Sequence, residues 1–324
     1  MESQPLDTLD LKLLHALQLD GRVPFSRIAE VLGVSDPTIA RRFRRLRTTA
    51  GLRVVGMTEE SLLGQESWIV RLRCTPDVAE QLAGALARRP DTKYVSLVSG
   101  GTEVMCAMMP RSQRERDELL FERLQRTPRI TSVNAYCLLH TFYGGPLGWL
   151  NKNRALEPDE EAALRPPTVE PATTSVTLGE ADAAVLKVLR RDGRATLSEL
   201  QNSTGQSESA VKRCLERLRS TGVLYFDVQY DTASVGHATR AMLWLTVAPS
   251  ALDAVGRALA EHPEVLFAAA TTGNLNLAAA VASPGTAELY AYLSGRIGAL
   301  DGVRSVETAL TLRQVKQLTY EPGR

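Results

Sequence analysis

The stretch Gly33 to Thr48, GVSDPTIARRFRRLRT, decides how this chain is read. A glycine turn leads into Ser35 and Asp36, either of which can cap a helix, and Pro37 suits a helix's first turn. Ile39, Phe43 and Leu46 then recur at spacings of four and three, which places them on one helical face. The other face carries Pro37, Thr38, Arg41, Arg44 and Arg45. From Pro37 to Thr58 there are six arginines (Arg41, Arg42, Arg44, Arg45, Arg47, Arg53) and no acidic residue, so a chain of net charge only +1 concentrates positive charge here. Arginine forks bridge phosphate oxygens or pair with guanine edges in the major groove, which a helix fits. An ordinary solvated helix can carry the same face. The turn before it, and its recurrence later in the chain, favour DNA.

Working outward, Leu9, Leu13, Leu14 and Leu17 share a face over residues 7–19, and Asp20-Gly21-Arg22 ends that helix. A short helix from about Ser26 to Leu32 turns Ile28, Val31 and Leu32 inward. Helix, glycine turn and capped helix in this order predict a helix-turn-helix head, and Gly51 to Met57 has the alternation expected of a wing.

The pattern returns. Shifted by 172 residues, Asp10 falls on Asp182, Asp20-Gly21-Arg22 on Asp192-Gly193-Arg194, Gly33 on Gly205, Leu46 on Leu218 and Gly64 on Gly236. With one inserted residue the register continues, Pro90 onto Pro263 and Gly100 onto Gly273. A register this long reads as tandem duplication. The second head is less basic: its recognition-like helix, Ser207 to Ser220, offers Ser209, Lys212, Arg213, Arg217 and Arg219 but also Glu208 and Glu216. Glu216 stands where the first head has Arg44 and repels phosphate, so the first head is expected to dominate affinity. Ser198 with Gln201 makes a capping box for the preceding helix.

After each head, strand and helix alternate. Strands are predicted over Trp68–Cys74, Tyr94–Ser99, Glu103–Met109 and Ile130–Leu139, with helices over Asp77–Arg88 and Gln113–Gln125. The second copy has strands Ala241–Val247, Val265–Thr271, Leu275–Val281 and Val303–Leu312, and helices Ala251–Ala260 and Thr286–Ile297. The fold class is therefore α+β: two winged helix-turn-helix heads and two ferredoxin-like βαββαβ sensor domains, the bare face of one sheet covered by the other. The boundaries are 1–60 and 178–232 for the heads, 64–143 and 236–320 for the sensors, and 144–177 for a Pro-rich linker. The hairpins Gly100-Gly101-Thr102-Glu103 and Gly273-Asn274-Leu275-Asn276 expose backbone N–H groups suited to a carboxylate, with Glu103 or Asn276 placed for an amine. On local evidence they are equally plain turns.

The remaining signals exclude. No apolar run reaches the roughly 18 residues of a membrane span, and the N-terminus is acidic where a secretory signal is basic, so a cytoplasmic location without membrane association is expected. Cys74, Cys106, Cys137 and Cys214 form no CxxC pair and read as reduced structural residues; four dispersed histidines give no metal site. No cofactor motif is present.

In its leading Asp10 and Asp182, its Asp-Gly-Arg turns, its recognition-helix starts and its hairpin glycines, the chain resembles the Lrp/AsnC family of feast-or-famine regulators in tandem-duplicated form. The resemblance implies winged heads joined to sensors of the RAM/AsnC type, which dimerise and often hold amino acids between them. It implies a sequence-specific DNA-binding transcription regulator modulated by an amino-acid-like effector, not an enzyme. Double-stranded DNA would be contacted by Ser35, Pro37, Thr38, Arg41, Arg44, Arg45, Ser209, Lys212, Arg213 and Arg217. The effector would be contacted by Gly100, Gly101, Thr102, Glu103, Gly273, Asn274 and Asn276. Family members usually place Asp where this chain has Glu103 and Asn276. One chain would be an intramolecular pseudo-dimer, its halves at about millimolar effective concentration, with further self-association a family trait. Two alternatives stay open: a regulator without effector, and an enzyme resembling the siroheme decarboxylases, for which His237 and Arg240 would serve opposite Gln65 and Trp68.

Overall fold

Asp7 accepts the Asp10 amide at 2.9 Å while the Asp10 carboxylate takes the Asp7 amide at 3.3 Å, a reciprocal cap that starts α1 (Thr8–Leu19). In chain order there follow α2 (Phe25–Val31), α3 (Asp36–Thr49), β1 (Arg53–Thr58), β2 (Trp68–Cys74), α4 (Pro76–Ala87), β3 (Thr92–Val98), β4 (Glu103–Met108), α5 (Gln113–Asp117) and β5 (Ile130–Tyr143). After α6 (Pro158–Leu164) the same order recurs as α7 (Glu180–Leu189), α8 (Leu197–Thr204), α9 (Glu208–Ser220), β6 (Leu224–Gln229), β7 (Thr239–Val247), α10 (Leu252–Glu261), β8 (Val265–Thr271), β9 (Leu277–Ser283), α11 (Thr286–Tyr292) and β10 (Val303–Gln317). The computed structural model describes residues 6–124, 126–145, 152, 155–166 and 175–318. Of the expected linker, residues 146–151, 153–154 and 167–174 lie outside the described residues. No helix among the described residues is long and apolar enough to cross a membrane.

The chain divides into two units, and each draws on both halves of the sequence: a head unit of 1–64 with 145–236, and a sensor unit of 65–144 with 237–324.

In the head unit β1 and β6 pair antiparallel, from Arg53 opposite Gln229 to Thr58 opposite Leu224. The alternation expected of a wing is absent, since Val54 to Thr58 are buried at five successive positions. The reason is the partner: β1 is covered by the other head and buried on both faces. A Cβ on Gly21 would lie 2.6 Å from Phe226 Cβ and 2.7 Å from Val54 Cγ1, so the Asp-Gly-Arg turn presses directly onto this ribbon. Helix α8 is capped by Thr196 and Glu199, with the Thr196 amide donating to Glu199 at 2.7 Å, two residues before the expected Ser198–Gln201 box. Within the expected linker Pro158–Leu164 form α6, with Leu164 and the preceding Leu156 buried and Glu160 bonded to Lys12 of α1 at 2.7 Å.

In the sensor unit the strands run β3-β4-β2-β5 in one sheet and β10-β7-β9-β8 in the other. The sheets do more than face each other. β5 pairs with β8 (Leu138 opposite Thr271) and β10 with β3 (Thr311 opposite Val98), which closes eight strands into a barrel. β5 and β10 extend to Tyr143 and Gln317, beyond the expected ends, because their last residues pair with the other sheet. Closure removes the open edges that isolated sheets must protect. The helices pack outside: Leu86, Leu119 and Leu120 join one outer core, Val255, Leu259 and Leu289 the other. Ile69, Met242, Trp244 and Ala278 fill the interior, with Tyr136, Leu138 and Phe267 against them. Burying side chains of this size contributes about 1.5–3 kcal/mol each.

Candidate functional site

Ser35 caps α3 with extended backbone, its hydroxyl 2.9 Å from that of Thr38. Ile39 and Leu46 anchor the inner face. Ser35, Pro37, Arg41, Arg44 and Arg47 are exposed and Thr38 is half-buried, so most of the expected nucleic-acid residues share one open surface. Arg44 Nε only reaches back to the Ala40 carbonyl at 3.3 Å.

Arg45 stands apart. It pairs with Asp10, whose side chain is 1% exposed, and Arg42 adds bonds to Asp10 at 2.9 Å and Asp7 at 2.6 Å. A buried carboxylate needs such partners to remain charged. Arg42 holds the Asp7 carboxyl below the usual range, against a smaller opposing effect of burial. Arg45, expected among the DNA contacts, stays exposed and at the same time ties the recognition helix to α1.

The second head repeats the tie with different chemistry. Asp182 pairs with Arg217 of α9 and accepts the Cys214 thiol at 3.2 Å, Cys214 standing where the first head has Arg42. Burial, reinforced by Asp182, pushes that thiol up to about 12. Arg217 is thus engaged like Arg45, with its side chain still half-exposed. Ser209 lies 3.2 Å from the Ser207 hydroxyl and Lys212 pairs with Glu208 at 2.5 Å, which leaves Arg213 beside Glu216 on the outer face.

A reciprocal clasp between the heads escaped the sequence reading. Arg22 donates to the carbonyls of Gly193 (2.6 Å) and Ala195 (2.9 Å), and Arg194 returns the contacts to Gly21 (2.7 Å) and Val23 (3.0 Å). The Arg194 guanidinium also lies 4.4 Å from the Phe25 ring centroid. Burial draws both below the ordinary arginine range, aided at Arg22 by the charge of Arg219 and at Arg194 by the charge of Arg22. The signal was present in the identical Asp-Gly-Arg triplets, read only as helix ends.

The sensor hairpins differ from each other. Ser99, Gly100 and Gly101 hold φ of 53°, 74° and 82°, an exposed left-handed turn; Thr102 bonds back to the Ser99 carbonyl at 3.0 Å. Glu103 is not the open amine receptor expected, because Arg71 takes both its oxygens at 2.5 and 3.2 Å. Gly273 (φ 94°) lies against the Tyr136 ring, and Asn274 accepts from Thr246 at 3.2 Å. Asn276 is likewise occupied, since its amide group accepts from Val247 N and donates to Val247 O, both at 2.8 Å.

Residues 6–47 match the AsnC-type helix-turn-helix domain, 179–225 a winged helix-turn-helix DNA-binding domain, and 240–320 the Lrp/AsnC ligand binding domain. Over 148 residues the chain is 30% identical to the HTH-type transcriptional regulator FL11 of Pyrococcus horikoshii, a match spanning 45% of this chain and 97% of that protein. The chain belongs to the Lrp/AsnC family. FL11 of Pyrococcus abyssi is 28% identical over 148 residues, with the same coverage. An Lrp/AsnC relative of that length matches fewer than half of the residues here, and the rest of this chain supplies a second head and a second sensor. Among solved structures, the siroheme decarboxylase NirDL superposes with a TM-score of 0.62 at 16% identity, over 97% of this chain and 94% of that one. That likeness is one of fold.

Proposed function

We propose that this Lrp/AsnC chain is a sequence-specific transcription regulator that binds double-stranded DNA chiefly through α3, with a small amino-acid-like effector acting on the sensor unit. The observation that carries the reading is the exposed arginine row of α3, Arg41, Arg44 and Arg47, set behind a glycine turn on a buried apolar face. A helix of that kind enters the major groove, with its arginines on phosphates and base edges. Pro37 and Ser35 lie at its N-terminal end, where backbone N–H groups suit a phosphate. Selection of bound fragments from genomic DNA, followed by anisotropy titrations across salt, tests it. A preferred fragment should emerge, with affinity falling steeply as salt rises. Replacing Arg41 with Ala should cost about 1–3 kcal/mol and relax the preference at one base pair. Equal binding of all fragments would end the reading.

For the effector, the exposed turn Ser99-Gly100-Gly101 and the Gly273-Asn274 turn offer backbone N–H groups to a carboxylate. A second reading, a regulator that needs no effector, is favoured by one observation: Glu103 and Asn276 are both occupied by the protein's own groups. Thermal-shift screening against amino acids separates the two. A ligand at a hundred times its Kd adds about 2.7 kcal/mol. The enzyme reading has the fold likeness and, on the sequence, His237 and Arg240; visible absorbance from a captured tetrapyrrole would put it in place of the regulator.

A further inference from the structure

One charged constellation that DNA binding does not use runs from the barrel interior to the half-exposed Glu307. Arg71 of β2 is buried, yet its guanidinium bonds two carboxylates from different sensors: Glu103 of β4 at 2.5 and 3.2 Å, and Glu307 of β10, with one of two contacts at 3.1 Å. The Trp244 ring of β7 lies with its centroid 5.0 Å from the guanidinium carbon, and Tyr136 packs on Trp244 at 4.9 Å. Arg73 approaches Glu103 from outside at 3.9 Å. Burial alone would pull the Arg71 guanidinium down; the hydrogen bonds and charges of Glu307 and Glu103 overcome it and hold the group ionised.

The arrangement is one-sided although the scaffold is repeated. At an offset of 173 residues Arg71 corresponds to Trp244, and both occupy the same register on their sheets, opposite Met105 and Ala278. Glu103 corresponds to Asn276, and Glu307 to Asn134. The first sensor therefore contributes the cation and one carboxylate, and the second contributes the ring and the other carboxylate. Two carboxylates at the edges of a planar cation, with an aromatic face over it, is the donor set that recognises guanidinium as distinct from ammonium.

We infer that Glu103, Glu307 and Trp244 form a guanidinium-binding site between the two sensor sheets, and that the chain fills this site in cis with Arg71. The two sensor sheets are thus joined across the interior by a side chain, and in the intact chain the seat is closed to free ligands of the same chemistry. A small-molecule effector acting on this unit uses another surface.

Thermal unfolding of the full chain, without DNA, tests the inference independently of the regulator reading. Arg71→Ala should melt lower than wild type. Methylguanidinium chloride should raise the midpoint of Arg71→Ala by about 3 °C at ten times its Kd, while n-butylammonium chloride at equal ionic strength should not. Wild type and the double variant Arg71→Ala/Glu103→Gln should not respond to either. Equal responses to the two cations, or a wild-type response as large as the variant's, would overturn the assignment. Should Arg71→Ala not fold, Arg71→Lys serves. An ammonium cannot pair bidentately with both carboxylates, so Arg71→Lys must melt well below wild type, and a variant as stable as wild type would also overturn it.

Discussion

The two heads share one scaffold and have spent their charges differently. In both, a buried aspartate of the first helix is tied to the recognition helix, Asp10 to Arg45 and Asp182 to Arg217. The first head then adds Arg42 and Asp7 to that tie, whereas the second has Cys214 and Gly179 at those places. Outside the tie, α3 keeps Arg41, Arg44 and Arg47 facing solvent. On α9, Lys212 is paired with Glu208, Arg219 with Asp20, and Glu216 offsets Arg213. Counting basic residues along each helix therefore understates the difference. What matters is how many remain after the internal pairs are subtracted, and on that measure the first head can address phosphate while the second is near neutral.

The largest effect expected from this comparison is on stability. Asp10→Ala removes the buried anion that Arg42 and Arg45 share; because Arg45 is itself half-exposed and Arg42 keeps Asp7, the cost should be about 1–3 kcal/mol. Asp182→Ala frees only one arginine and a thiol that can stay neutral, so its cost should be smaller. Chemical denaturation of the two variants measures both. Equal losses would mean that Arg42 adds nothing to the first head's tie.

The next effect is on DNA. Arg44→Glu gives the first head the charge of the second, and Glu216→Arg does the reverse. The first change should weaken binding to the preferred fragment by roughly 1–3 kcal/mol, while the second should strengthen it by less, since Glu216→Arg adds charge to a helix with no row to extend. Anisotropy titrations at one salt concentration read both. A larger response from Glu216→Arg would assign the leading role to the second head.

How much of this was legible beforehand depends on the reach of each signal. The core and cap of α3 are local, set by Ile39, Phe43, Leu46 and Pro37, and the spacing of those residues alone predicts the helix and its outer arginines. The fate of Arg45 was not legible, because its partner Asp10 is 35 residues away on α1. β1 misled for the same reason on a longer scale: Val54, Val55 and Met57 look like a wing until β6 covers them. The ends of β5 and β10 failed similarly, since Thr141 to Tyr143 and Arg313 to Gln317 acquire strand structure from pairing with the other sheet. Arg71 was hidden by its own strand. In WIVRLRC an arginine reads as an outward residue, and its burial is explained only by partners distant in sequence, Glu103 of β4 and Glu307 of the far copy. The repeat was the best long-range signal available, and it identified what is shared more readily than what has diverged.

The smallest predicted effect isolates the carboxylate of the first head's tie that the second head lacks, Asp7 standing where the second has Gly179. Asp7 is half-exposed, and its hydrogen bond from Arg42 keeps its folded value below that of the unfolded chain. A group depressed in this way adds stability above its unfolded value, near 3.9, and loses it as pH falls through the lower folded value. Asp7→Asn keeps an N-cap acceptor for the Asp10 amide and removes only the charge. At pH 7 the variant should therefore be less stable than wild type, though by under about 1 kcal/mol given the solvent screening of so exposed a pair. The gap should close as pH falls below about 4, because wild-type Asp7 is then progressively neutralised as well. A gap that persists unchanged at pH 3 would show that geometry at the cap, not the charge shared with Arg42, is what Asp7 contributes to the first head.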